Sequence, residues 1–405
     1  MSDPVHHLKA GQRVFVAGSS NEPTALLEHL AQSQLPPALH FMQFPIGVYN
    51  KVDFTQFNAS AELTTFFMTP ALREADKRRL HFLPMQMRWV YDYLREHVDV
   101  ALLQVAYDRA GDLRVGLNAD FVGAVLESAT VVMAELNRAV VAPAGSPRIE
   151  RARIDALIET QRQVTAMPAP EIDAAAQAIG KHVAALIRDG DCIQTGIGAI
   201  PAAILTQLDQ HNDLGMHGGL IDDGGMHLIR NGNMNGSRKA IDRGQHITGM
   251  ALGSAELLDW LADTPQVVLH GANHTHEVAA IRQLDNFVSI NSAVEIDLFG
   301  QINAEYAGGR QISGTGGSVD FMRGAKASRG GRSIVAMNAT ARGGSVSRIV
   351  PKVELVTALR TDVDIVVTEF GVADIRYLPN AERARALIEI AAPQFRDELR
   401  DALAV

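Results

Sequence analysis

A glycine turn between an apolar run and a helical pattern is the first feature of this sequence that could do chemistry. Residues 192–195 are apolar, Gly196-Ile197-Gly198-Ala199-Ile200 follows, and 202–208 has a helical pattern. Backbone N–H groups of such a turn can approach a phosphate or a thioester oxygen. Position 201 is proline and no Gly-Lys-Ser/Thr follows, which excludes dinucleotide-binding and P-loop motifs. The residues leave open an anion-binding loop and a tight turn without a ligand.

A second glycine cluster, Gly314-Thr315-Gly316-Gly317, precedes a run of regularly spaced cations. These cations are Arg323, Lys326, Arg329 and Arg332. Such side chains after a glycine turn suit a ligand that carries several phosphates. A solvent-exposed basic edge explains the same residues without a ligand. Together, the two glycine clusters and the cations predict a site for a small polyanion more specifically than any of them alone.

Other reactive side chains give weaker signals. His274 and His276, two of the 14 histidines, would share one face of a strand. No third ligand at a typical spacing accompanies them, so we predict no metal site. Cys192 falls in the predicted buried strand and is expected to be an inert thiol. It is the only cysteine of the sequence, which excludes an internal disulfide and is typical of a reducing cytoplasm.

Length and composition describe the protein that must position these loops. The chain has 405 residues, a length that predicts two domains. A formal net charge of -9 argues against nucleic acid or an anionic membrane as a partner. No apolar run approaches the length of a membrane span. We therefore expect a cytoplasmic protein that binds small molecules.

Apolar runs alternate with helical patterns along the chain. Strands are predicted at 13–17, 38–44, 63–68, 98–107 and 130–136, and helices from 22, around 89–97, at 121–128 and, rich in charge, after Pro70. Such alternation indicates an α/β protein with mainly parallel sheets. Residues 149–171 interrupt the alternation and contain a Pro-rich stretch, so we predict domains at 1–165 and 166–405.

Several long motifs resemble the acetyl-CoA hydrolase/transferase family, which belongs to the family I CoA-transferases. They include GKHVAALIRDGDCIQTGIGAIPAAIL, SINSAVEIDLFGQINAE, SGTGGSVDFMRGA and DIVVTEFGVADIR, in the family's order. The resemblance implies two tandem open α/β/α domains of the CoA-transferase type, assembled as a homodimer or homotetramer. It also implies an enzyme that moves CoA between an acyl-CoA and a small carboxylate. Coenzyme A would be a substrate, and no cofactor would be bound permanently.

The resemblance further assigns roles to individual residues. Gly196, Ile197, Gly198, Ala199 and Ile200 would line CoA. The positions that contact CoA in similar proteins correspond to Ala293, Gly316 and Arg332. In this family a glutamate attacks the thioester, and the acyl-glutamyl anhydride then reacts with CoA to give a glutamyl-CoA thioester. Backbone N–H groups of a glycine loop would hold the oxyanion.

The sequence departs from the family at that glutamate. Where the transferases have His-Ser-Glu or His-Thr-Glu, this chain has His217-Gly218-Gly219. Glycine cannot form an anhydride. In one hypothesis another carboxylate, Glu62 or Glu295, enters the vacated space and transfer continues, although Glu295 could instead brace its loop.

Two further hypotheses need no enzyme nucleophile. Water could attack the thioester, with His217, Asp222 or Asp223 as general base, which would make the protein a hydrolase. Alternatively, the protein could bind acyl-CoA without turnover. Of the three we predict the transferase, of the 4-hydroxybutyrate/acetate type and acting on a short- or medium-chain acyl-CoA.

Overall fold

The chain passes back and forth between two structural units. A computed structural model describes residues 3–403. Unit 1 contains the residues up to Pro168 together with Ile247–Thr275, and unit 2 contains Ala169–His246 and the residues from His276 onward. The predicted division into 1–165 and 166–405 is therefore corrected. The chain leaves unit 1 near the predicted boundary, but 247–275 returns to it, where Ala251 N donates to Leu117 O at 2.9 Å.

The helices and strands of the described residues follow in chain order. The helices are α1 (Thr24–Ala31), α2 (Met87–His97), α3 (Val122–Ser128), α4 (Ala174–Ala184), α5 (Ala199–Leu205), α6 (Asp223–Arg230), α7 (Ala255–Ala262), α8 (Ala272–Thr275), α9 (Val278–Ile281), α10 (Ser318–Ala327), α11 (Asn380–Glu389) and α12 (Arg396–Leu403). The strands of the first half are β1 (Arg13–Val16), β2 (His40–Gln43), β3 (Glu62–Thr65), β4 (Leu80–Phe82), β5 (Val100–Tyr107), β6 (Leu113–Arg114), β7 (Val131–Asn137), β8 (Ala156–Thr160), β9 (Cys192–Gln194), β10 (Gly215–Met216) and β11 (Leu220–Ile221). Those of the second half are β12 (His246–Thr248), β13 (Met250–Ala251), β14 (Val267–Leu269), β15 (Phe287–Asn291), β16 (Glu295–Asp297), β17 (Ile302–Asn303), β18 (Tyr306–Ala307), β19 (Arg310–Gln311), β20 (Arg332–Ala336), β21 (Thr340–Ala341), β22 (Val346–Ser347), β23 (Ile349–Val350), β24 (Ile365–Thr368) and β25 (Gly371–Asp374).

Unit 1 is built on a mainly parallel sheet. Its strand order is β4-β3-β2-β1-β5-β7-β8, all parallel, and the short β6 pairs antiparallel with β5. The first seven residues of β5 are all buried, as expected when helices and loops cover both faces of a parallel sheet. Leu26, Leu27 and Leu30 of α1 pack in one hydrophobic core with Val14 and Phe41 of the sheet.

Unit 2 has a six-stranded sheet with the order β10-β9-β15-β20-β24-β25, parallel except for β25 at its edge. Val335 and Val366 of this sheet share a core with Leu387 of α11. A second cluster joins Cys192 and Phe287 to Phe321 of α10. The sheet thus fixes the positions at which its strands release the glycine loops.

The structure confirms the predicted α/β class and most predicted elements of the first half. The charged helix predicted after Pro70 is wrong. Residues 70–74 form a 3-10 turn, and Leu80–Phe82 is an edge strand paired with β3. Charge patterning alone did not show that this segment pairs with a sheet edge. Among the helices of residues 3–403, none combines the length and the apolar character that crossing a bilayer would require.

Candidate active site at the carboxyl edge of the unit 2 sheet

Two loops of unit 2 leave the same edge of its sheet. Residues 195–198 follow β9, residues 217–219 follow β10, and these two strands are parallel, with Met216 opposite Ile193. A Cβ added to Gly218 would lie 3.3 Å from Gln194 Cγ, so the two loops are neighbours. Ligands of open α/β sheets bind at the carboxyl ends of the strands. This edge is therefore the candidate active site.

The first glycine turn has the predicted strand–turn–helix geometry. Gly198 precedes α5 and has a φ of 111°, a conformation that strains any residue with a side chain. Ile197 is 42% exposed, and Cβ atoms added to Gly196 or Gly198 would meet nothing within 4 Å. Ala199 opens the helix, and Ile200 follows it. The turn therefore presents open backbone, and its contact with CoA stays a prediction.

His276 joins the second glycine cluster to the loop at 219. A Cβ added to Gly219 would lie 3.2 Å from both Cε1 and Nε2 of the His276 ring. A Cβ on Gly317 would overlap the same ring at Nε2 and Cδ2. The Phe321 ring lies 4.4 Å away between centroids. The imidazole therefore fills the space between two glycines, which places the 314–317 turn at the same edge as the other loops.

Burial sets the protonation state of this imidazole. His276 is 1% exposed, and desolvation lowers its pKa to about 3. It is therefore neutral at physiological pH. From the sequence, His276 is recognisable only as a possible metal ligand, because nothing local shows that residues 219 and 317 lie against its ring.

His217 is buried as well, and its backbone N–H donates to Ile193 O. Its ring meets Phe287 edge to face, with centroids 6.2 Å apart. The proposed role of His217 as general base stays a prediction. Cys192 is confirmed as a buried thiol, and burial raises its pKa to about 12, which makes it inert.

Neutral amides occupy the carboxyl ends of two adjacent strands. Gln194 of β9 and Asn291 of β15 exchange hydrogen bonds, with Asn291 Nδ2 donating to Gln194 Oε1 at 3.2 Å and Gln194 Nε2 to Asn291 Oδ1 at 3.4 Å. Each amide nitrogen carries a second N–H. Gln194 and Thr195 line a small cavity with Gly218 and Asp222. This cavity thus has an uncharged amide donor, that of Gln194, in its wall.

Asp222 is the carboxylate that lines this cavity, three residues after Gly219. Its Oδ1 accepts from Gly225 N at 2.9 Å and caps α6, and burial raises the pKa of its carboxyl group. Asp223 is the first residue of that helix. Asp222 thus serves as the N-cap of α6. A role for Asp222 or Asp223 as general base stays a prediction.

Glu295 and Ala293 belong to a braced loop after β15. Glu295 Oε2 accepts from Asn303 Nδ2 at 3.3 Å across the β16–β17 pair. Arg348 donates to the backbone oxygens of Ala293 and Val294, the latter at 2.8 Å. These contacts agree with a bracing role for Glu295. Contact between Ala293 and CoA stays a prediction, as does that of Gly316, which has a φ of 55° before α10.

The role of Glu62 as a nucleophile stays a prediction. Glu62 is the first residue of β3 and so lies at the amino edge of the parallel unit 1 sheet. Its Oε2 lies 3.1 Å from His81 Nε2 and 3.4 Å from His40 Nδ1, on strands to either side. The residue therefore pairs with two histidines at the edge opposite to the one where ligands bind.

The prediction that Arg332 binds CoA phosphates is corrected. Arg332 is the first residue of β20, at the amino edge of the unit 2 sheet. Its guanidinium is buried and forms an ion pair with Asp191, directly before β9. A buried, paired guanidinium at that edge cannot reach a ligand at the carboxyl edge. Arg332 is thus a structural residue.

The remaining cations of the predicted basic run are paired as well. Each has an aspartate partner: Arg323 pairs with Asp362 at 3.3 Å, Lys326 with Asp364 at 2.5 Å, and Arg329 with Asp285. The run thus forms a set of ion pairs. The interpretation as a basic edge without a ligand describes these side chains better than a phosphate site does.

Unit 1 has a cavity of its own at the carboxyl edge of its sheet. Phe15, Phe44 and Phe121 line it together with Asn118 and Asp120. Asp120 is 1% exposed, and burial raises the pKa of its carboxyl group to about 8. Its backbone O accepts from Ala272 N at 2.8 Å, which ties the returning segment 247–275 to this cavity.

The sheets and the glycine loops at their carboxyl edges define an α/β protein of the CoA-transferase fold. A solved structure of 4-hydroxybutyrate CoA-transferase from Porphyromonas gingivalis superposes with a TM-score of 0.80 at 31% identity, covering 99% of this chain and 95% of that chain. RipA from Yersinia pestis superposes with a TM-score of 0.92 at 31% identity and the same coverage.

Sequence comparison then gives the family. The family model for the acetyl-CoA hydrolase/transferase C-terminal domain matches residues 253–403. The 4-hydroxybutyrate coenzyme A transferase of Clostridium kluyveri is 40% identical over 98% of this chain and 94% of its own length. The chain belongs to the acetyl-CoA hydrolase/transferase family.

Proposed function

We propose that the protein transfers CoA from a short- or medium-chain acyl-CoA to a free carboxylate. The observation that carries this proposal is the convergence of the 195–198, 217–219 and 314–317 loops at one sheet edge in a chain so similar to a 4-hydroxybutyrate coenzyme A transferase. Open backbone at Gly196–Gly198 suits a thioester oxyanion or a phosphate. The neutral amides of Gln194 and Asn291 suit a carboxylate.

Transfer is tested by incubating the protein with acetyl-CoA and a panel of carboxylates that includes butyrate and 4-hydroxybutyrate. Mass spectrometry of the CoA pool should show the acyl-CoA of the added carboxylate, with no net release of free thiol. Steady thiol release without a new acyl-CoA would indicate a hydrolase instead. Saturable CoA binding without either product would indicate a binding protein.

Three further properties are part of the proposal. Coenzyme A is a substrate and no cofactor is held permanently. The protein works in the cytoplasm, which its single cysteine and acidic charge favour. It forms a homodimer or homotetramer, and light scattering of the purified protein tests this property directly.

A further inference from the structure

Transfer of CoA to a carboxylate requires a carboxylate oxygen to attack the thioester carbonyl. That oxygen belongs either to the protein or to the acceptor substrate. We infer that here the acceptor carboxylate attacks the acyl-CoA directly, so that transfer occurs in a ternary complex without an acyl group on the protein. The inference rests on the proposed function.

The first supporting observation is the pair formed by Gly219 and His276. A side chain at 219 would start toward a ring whose Cε1 and Nε2 lie 3.2 Å from its Cβ. Gly317 also lies against that ring, and Phe321 packs against it. A buried, uncharged group thus occupies the direction in which a nucleophilic side chain from the 217–219 loop would point.

The second observation concerns four carboxylates of unit 2 that serve as structural acceptors. Asp222 caps α6 through Gly225 N, and Glu295 accepts from Asn303. Glu305, 5% exposed, accepts from Gln311 Nε2 at 2.7 Å and from Thr357 Oγ1 at 2.8 Å. Glu369 accepts from Ala339 N at 2.8 Å. Using any of these as the nucleophile would first require breaking hydrogen bonds that hold the loops.

The third observation is the kind of donor in the cavity wall. Gln194 lines this cavity, is held by its hydrogen bonds with Asn291, and can offer a second amide N–H to a substrate carboxylate. Hydrogen bonds from neutral amides hold a carboxylate less tightly than an arginine fork does, and leave it more nucleophilic. The arginines of the basic run are paired with aspartates and do not supply such a fork. The site is therefore suited to an attacking substrate carboxylate.

The bond changes balance without another reactant. An acceptor oxygen bonds to the acyl carbon, the C–S bond breaks, and CoA leaves as thiolate. The product is a mixed anhydride of the two substrates. The thiolate then attacks the acceptor-derived carbonyl, the anhydride C–O bond breaks, and the donor acid leaves as a carboxylate. This acid carries away one oxygen atom of the acceptor.

The test follows that oxygen through a single turnover. Stoichiometric protein is mixed with propionyl-CoA and acetate labelled with ¹⁸O at both oxygens, and the released propionate and the intact protein are weighed by mass spectrometry. We expect one ¹⁸O in the first propionate released and an unchanged protein mass. Initial rates with both substrates varied should give intersecting reciprocal lines, and propionyl-CoA alone should release no equivalent of propionate.

The contrary result is equally specific. If propionyl-CoA alone releases one equivalent of propionate, the reciprocal lines are parallel, and borohydride traps a reduced side chain, the inference is overturned while the proposed function stands. Peptide mapping would then name the nucleophile. If no acetyl-CoA forms at all, the proposed function itself fails.

Discussion

The contact between Gly219 and His276 leads to a quantitative prediction about stability. In Gly219→Ala the new methyl group would lie 3.2 Å from two ring atoms, closer than the roughly 3.5–4.0 Å of an optimal carbon contact. Because Phe321 and the backbone of Gly317 confine the ring, it has little room to move. Overpacking of this kind costs about 1–3 kcal/mol. We expect Gly219→Ala to lower the free energy of unfolding by an amount in that range.

A double-mutant cycle isolates the contact. His276→Ala removes a buried ring and should by itself cost on the order of 2–4 kcal/mol. In the double variant the methyl group at 219 enters the space left by the ring, so its own cost should vanish. The coupling energy should therefore favour the double variant by the whole of that cost, about 1–3 kcal/mol. Urea unfolding of the four proteins measures each value.

Gly225→Ala is the matched control, since its Cβ would also lie 3.2 Å from a neighbour, in this case Ile221 Cγ1. Combined with His276→Ala, this change should be additive within about 0.5 kcal/mol. If the effects of Gly219→Ala and His276→Ala are also additive, the ring does not occupy the space beside residue 219. The His276 ring would then not block a side chain at this position.

Three other predictions concern a buried ion pair, a buried carboxyl group and the first glycine turn. Arg332→Ala should destabilise the protein by about 3–5 kcal/mol, because it leaves the buried Asp191 carboxylate without its guanidinium partner. The Kd for CoA, measured by calorimetry, should not change. Weaker CoA binding at unchanged stability would show that Arg332 contacts CoA. Asp120 has a folded pKa of about 8, above its unfolded value, so the protein is most stable while this carboxyl group is protonated and loses that stability as pH rises through about 8. Relative to the native protein, Asp120→Asn should therefore gain stability as pH rises from about 4 to 8. Urea titrations measure this difference, and a pH-independent difference would refute the shift. Gly198→Ala should weaken CoA binding by about 1–2 kcal/mol, because a side chain is strained at a φ of 111°. Gly196→Ala, whose methyl group meets no neighbour, should weaken it less. Equal Kd values for the two variants would show that the turn does not contact CoA.

Local sequence patterns predicted the strands, turns and helices of the candidate site. Contacts between residues far apart in the sequence determine which side chains belong to the site. The strand, turn and helix around 192–205 were predictable because neighbouring residues determine them, including the left-handed Gly198. Arg332 was assigned wrongly because its partner, Asp191, is 141 residues away. A basic residue after a glycine turn gives the same sequence signal whether it binds phosphate or a buried carboxylate.

His276 is a residue of the candidate site that the sequence did not assign to it. Its ring is enclosed by Gly219 and Gly317, and both belong to other segments of the chain. Both glycines and His276 were visible in the sequence, but nothing local showed that the imidazole lies against the glycines. The departure at Gly219 was the one signal that something else fills this position, and only the fold shows what it is.

The return of 247–275 to unit 1 affects how the protein responds to a protease. The mostly exposed segment around 165–170 lacks regular secondary structure and is a natural place for cleavage. A cut there breaks the chain between the units, yet the amino-terminal fragment remains hydrogen-bonded to 247–275, through contacts such as Leu117 with Ala251. The nicked protein should therefore run as one species on a native gel and as two only after denaturation.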